Sequence, residues 1–93
     1  MSQALPFVHV AGLLVAAHPA ELAGVARQLA ARPDTEVHAA DEAAGRLVVT
    51  VETDSVDAQE AAFREISALP GVGVVSLVCH RAEPADEATG DLT

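Results

Sequence analysis

Two stretches of this chain end a helix and begin a strand in the same way. Leu29-x-x-x-Pro33-x-x-x-Val37 matches Ile66-x-x-x-Pro70-x-x-x-Val74 at a separation of 37 residues. Ahead of the first proline, Leu22, Val25, Ala26 and Leu29 follow the i, i+3, i+4, i+7 spacing of one helical face. Ahead of the second, Ala62, Phe63, Ile66 and Leu69 do the same work for another helix. Proline has no N–H to give to a continuing helix, so Pro33 and Pro70-Gly71 read as stops. Pro19 suits a first helical turn, Arg27 and Arg32 favour the negative end of the first helix, and Asp54 or Ser55 can cap the second.

Strands fill the spaces between. The run Val8 to Val15 is apolar and rich in β-branched residues, and Arg46 to Glu52 is the clearest strand, with Leu47, Val49 and Val51 on one side. Thr35 to Ala39 is a weaker strand, Asp41 to Gly45 a hairpin turn, and Val72 to His80 the last strand. The order is strand, helix, strand, strand, helix, strand, which is two βαβ units. Right-handed crossovers interleave such units, so the fold class is α+β: a ferredoxin-like βαββαβ unit with a four-stranded antiparallel sheet and both helices on one face. Residues 1–82 form that domain. Residues 83–93, with four acids, no base, Pro84 and Gly90, are expected to be a disordered acidic tail.

With 93 residues there is room for one modest core, and with Phe7 and Phe63 the only aromatics it must be built from Val, Leu, Ile and Ala. The single cysteine, Cys79, excludes an internal disulfide and suits a reducing compartment. The apolar run Val8 to Ala17 spans ten residues, half of what a membrane span needs, and the N-terminus carries no positive charge of a secretory leader. The expected location is therefore the cytoplasm, without membrane insertion. Five arginines stand against 14 acids, for a formal net charge of −9. Nucleic acid is a poor partner for such a surface, and a cationic segment is a natural one.

A half-covered strand should alternate apolar and polar residues. Here Ala11, Leu13 and Val15 lie on one side of the first strand, and Val10, Gly12 and Leu14 on the other. The last strand likewise places Val75, Leu77 and Cys79 on one side and Val74, Ser76 and Val78 on the other. One apolar set therefore faces water unless something docks on it, and such a patch marks either a binding surface or self-association through the sheet.

Chemistry finds little support. His9, His18, His38 and His80 show no paired spacing that fixes metal ligands on one element, and adjacent Cys79 and His80 point to opposite faces, so no metal or other cofactor is expected. Cys79 reads as a small buried residue with an inert thiol. The turn Ala16-Ala17-His18-Pro19 has neither Arg nor Gly, which removes an Arg-dependent phosphate cradle. No catalytic residue is named, and the chain reads as a binding module rather than an enzyme. The alternative is a ferredoxin-like small-molecule-sensing or dimerisation domain.

Gly12-Leu13-Leu14-Val15, Gly45-Arg46-Leu47-Val48-Val49 with Glu52, and Leu69-Pro70-Gly71-Val72 followed by Ser76-Leu77-Val78-Cys79-His80 resemble the NapD family. The resemblance runs from about Val8 to Glu83, and its most specific piece is Ser-Leu-Val-x-His after Pro-Gly-Val. Cys79 stands where that family often has Tyr. The resemblance implies a cytoplasmic chaperone that binds the twin-arginine signal peptide of the periplasmic nitrate reductase catalytic subunit precursor. It withholds the precursor from export until its cofactors are in place. A monomer is expected. The peptide would lie on the open sheet face, its apolar part on Val10, Leu14, Val48 and Val78, with Gly12 and Thr50 between them. Its arginines would meet carboxylates among Glu52, Glu36 and Asp34. Ser76 and His80, spaced by two from Val78, are expected on the same face, with His80 bonding the peptide backbone.

Overall fold

The computed structural model describes residues 7–84. In chain order it contains β1 (Phe7–Ala17), a 3₁₀ turn (Pro19–Glu21), α1 (Leu22–Ala30), β2 (Thr35–Asp41), β3 (Arg46–Thr53), α2 (Val56–Ser67) and β4 (Val72–Pro84). The strands form one sheet in the order β2-β3-β1-β4, every pair antiparallel. This is the ferredoxin-like arrangement expected from the two βαβ halves.

Local chemistry explains the element ends. His18 caps the 3₁₀ turn by accepting from the Ala20 N–H through Nδ1 at 3.1 Å, and Pro19 is the first residue of that turn. Ser55, not Asp54, caps α2: its Oγ accepts from the Ala58 N–H at 3.0 Å. In the β2–β3 hairpin, Gly45 takes φ +72°, a value costly for any residue with a Cβ. There its N–H reaches the Asp41 carbonyl at 2.9 Å, and its own carbonyl accepts from Ala17 at 2.8 Å.

Alternate residues of β1 and β3 — Ala11, Leu13, Val15 and Leu47, Val49, Val51 — are buried under both helices, which supply Leu22, Val25, Leu29, Ala62 and Ile66. Phe63 and Leu69, expected to be buried, are only partly so and pack at the margin of that core. The two halves are also tied outside the sheet, where the Gln28 side-chain amide donates to the Pro70 carbonyl at 3.0 Å.

Two features differ from the sequence-based expectation. β4 continues four residues past His80, and Glu83 and Pro84 pair with Val8 and Phe7. Beyond Pro84, the expected acidic tail lies outside the described residues. The second difference is a set of three register shifts in the edge strands: Gly73 and Val78 in β4 and His38 in β2 have no partner where their neighbours do. Each is a bulge, one extra residue that reverses the side on which the rest of the strand presents its side chains. Among the described residues no helix is long and apolar enough to cross a membrane.

Candidate functional site

Residues directly opposite in an antiparallel sheet share a face, so the pairings lay out the uncovered side row by row. One row runs Glu36, Thr50, Gly12, Cys79 across the four strands. The next runs Ala39, Val48, Leu14, Ser76, and beyond it lie Asp41, Arg46, Ala16 and Val74. On the other flank Glu52, Val10 and Arg81 are in line, and outside them Val8 faces Glu83. The structure therefore gathers Val10, Gly12, Leu14, Val48, Thr50, Glu52, Ser76 and Glu36 on one surface, as the alternation required. Val8 and Val74 join them. Val48 is 46% exposed and Val74 61%, while Val8, Val10 and Leu14 are half-buried by their neighbours alone.

The acids converge at one end of this face. A cavity of about 290 Å³ is lined by Val10, Asp34, Glu36, Thr50 and Glu52 together with Pro33 and Thr35. A more open hollow beside it adds Val8 and Asp54. Asp34 is held in place: its carboxylate accepts from the Thr35 hydroxyl at 2.7 Å and from Arg32 at 3.2 Å, and its carbonyl accepts from the Glu52 N–H at 2.8 Å. Partial burial pushes the Asp34 carboxyl upward, but the Thr35 and Arg32 hydrogen bonds and the Arg32 charge outweigh it and leave it below its ordinary value. Arg32 also reaches Glu65 at 3.1 Å, so its charge is shared between two acids. Glu36 and Glu52 make no ion pair among the described residues. Of the three acids lining this cavity, only Asp34 is paired.

The bulge at Val78 overturns part of the expectation for β4. Strict alternation put Ser76, Val78 and His80 together on the open face. Ser76 is there, opposite Leu14, but His80 is opposite Ala11 on the helix-covered side. There its Nε2 lies 3.3 Å from Nδ1 of His9. Val78 is the unpaired residue and is 67% exposed. The same shift corrects Cys79, which neither shares a side with Leu77 nor lies buried. It is exposed and sits on the open face against Gly12, where a Cβ added to the glycine would come 2.8 Å from its sulfur. In β2 the unpaired residue is His38 itself, whose Nε2 meets the Thr50 hydroxyl at 2.7 Å. Sequence reasoning missed Cys79 as a member of the face because no composition cue marks an extra residue in a strand, whereas His38, two residues after Glu36, lies where plain alternation would have put it.

The family described as NapD protein matches residues 8–84 of this chain. The protein named Chaperone NapD from Paracoccus pantotrophus is 37% identical over 81 residues, 87% of this chain and 70% of that one. Its namesake from Escherichia coli strain K12 is 32% identical over 80 residues, covering 86% and 92% of the two chains. The solution structure of the E. coli Tat proofreading chaperone protein NapD superposes with a TM-score of 0.74 at 30% identity, over 92% of this chain and 90% of the other. The same βαββαβ frame, matched along nearly the whole described length, means that this chain belongs to the NapD family.

Proposed function

We propose that this protein is a cytoplasmic chaperone that binds the twin-arginine signal peptide of a periplasmic nitrate reductase catalytic subunit precursor. It keeps the precursor from premature export and catalyses no reaction itself. The observation that carries the reading is the uncovered face of the sheet, where an apolar strip (Val8, Val10, Leu14, Val48, Val74) runs into a cavity bearing Glu36 and Glu52. A twin-arginine signal has the matching order of parts: paired guanidinium groups, then an apolar stretch. Membership of the NapD family and the likeness to the E. coli Tat proofreading chaperone protein NapD support the same assignment.

Binding divides into two terms. Burial of the apolar stretch on Val10, Leu14 and Val48 supplies most of the affinity, because it removes exposed apolar surface from water. The carboxylates supply register and speed of encounter. Charge-assisted bonds from guanidinium to carboxylate are the stronger kind, and a chain of net charge −9 attracts a cationic segment over distance. Asp34, already satisfied by Arg32 and Thr35, shapes the cavity, while Glu36 and Glu52 face the peptide.

Calorimetric titration with a synthetic twin-arginine signal peptide tests this, beside a twin-lysine version at low and moderate salt. Micromolar or tighter binding that weakens with the lysine pair and with salt is the expected result. Absence of binding at any salt would overturn the reading and leave the open face as a contact between copies.

A further inference from the structure

We propose that Nδ1 of His9 and Nε2 of His80 form a binding site for one borderline divalent transition-metal ion, Zn²⁺, Ni²⁺ or Cu²⁺. The two histidines are 71 residues apart in sequence and on adjacent strands in space. Their nitrogens are 3.3 Å apart, their ring centres 5.5 Å apart, and their planes within 11° of each other. Since the ring centres are farther apart than the nitrogens, the rings meet edge to edge with the two nitrogens turned inward, rather than face to face.

That spacing is the one a metal requires. Two imidazole nitrogens at about 2.0–2.1 Å from a tetrahedral ion stand about 3.3–3.4 Å from each other. An ion placed beside the line joining them needs only a tilt of each ring, and neither ring is buried. In the hydrogen-bonded pair one nitrogen carries a proton and the other a lone pair. On metal binding the donor ring moves its proton to its other nitrogen, so both inward nitrogens offer lone pairs and no net proton is lost. Imidazole suits this class of ion, whereas Mg²⁺ and Ca²⁺ prefer oxygen.

Among the described residues no group of three or more His, Cys, Asp or Glu is gathered closely enough to hold a metal. The remaining positions therefore fall to water. A search for ligand pairs on one element passes over this site, because the Val78 bulge creates it. Without the extra residue, His80 would face the open side and His9, paired with Ala82, would have no imidazole on the diagonal. The bound ion fastens the segment of β4 beyond the bulge to the start of β1.

The test is titration of the untagged full-length chain with ZnCl₂ and NiCl₂ in a non-chelating buffer, monitored by calorimetry and by ¹H–¹⁵N spectra. We expect saturable binding of one ion per chain, with shifts centred on His9, Ala11 and His80. His9→Ala and His80→Ala should each weaken it at least tenfold, His18→Ala and His38→Ala should not, and MgCl₂ should give no signal. Failure to saturate at roughly millimolar ion, or binding that survives His9→Ala and His80→Ala together, would overturn the proposal. Neither result bears on the signal-peptide reading, which is read out on the opposite face.

Discussion

Leu13 and Leu14 are neighbours in β1 with identical side chains, yet Leu13 is 2% exposed while Leu14 is only half-buried. The difference is the helix pair. On the side of Leu13, α1 and α2 complete a closed core with Val15, Leu47, Val49 and Val51. On the side of Leu14, equally apolar residues lie open in the same sheet. A leucine left half in water contributes little to folding and retains most of its burial energy for something else to use. One face of the sheet thus holds the protein together, and the other is free to hold a client.

That division can be broken most strongly from the core side. Ile66→Ala removes a fully buried side chain of α2 and should cost about 2–5 kcal/mol, read by urea or thermal unfolding. Peptide binding by the fraction that remains folded should be nearly unchanged. Leu14→Ser reverses the pattern. Its unfolding free energy should change by about 1 kcal/mol or less, while affinity for the signal peptide should fall at least tenfold, or about 1.4 kcal/mol. A Leu14→Ser protein as tight as the original would place the peptide elsewhere. The smallest effect belongs to the boundary between the faces. Because the Asp34 carboxyl is held below its ordinary value, its contribution is present above the unfolded value of about 3.9 and is lost as pH falls through the lowered folded one. Unfolding curves of Asp34→Asn should therefore lie below those of the parent at neutral pH and converge with them toward acid.

Most of the frame was legible because it depends on period and punctuation. Proline and glycine stops, helical spacing and the alternation in β1 and β3 determined six elements, their order and the face that would stay open. Residues on the two central strands fell where alternation placed them: Val10, Gly12, Leu14, Val48, Thr50 and Glu52 all share that face. The errors sit on the edge strands. An edge strand has one neighbour instead of two, so an extra residue disturbs only one ladder. Gly73, Val78 and His38 are such residues, and each reverses the sides of the residues after it. His80 and Cys79 were thereby exchanged between faces. Nothing in the local residue types of Leu77-Val78-Cys79 announces the slip; it shows only in the pairing, where thirteen residues of β4 lie against eleven of β1 and Gly73 and Val78 are left over.

The contact between Gly12 and Cys79 couples two strands at the centre of the uncovered face. A side chain at position 12 would press on the sulfur at 2.8 Å, so the two sites are not independent letters. Glycine at 12 leaves the Cys79 side chain its place, and a residue with a Cβ there requires the thiol to turn aside. Changes at 12 and 79 are therefore coupled, and a double substitution should not show the sum of the two single effects.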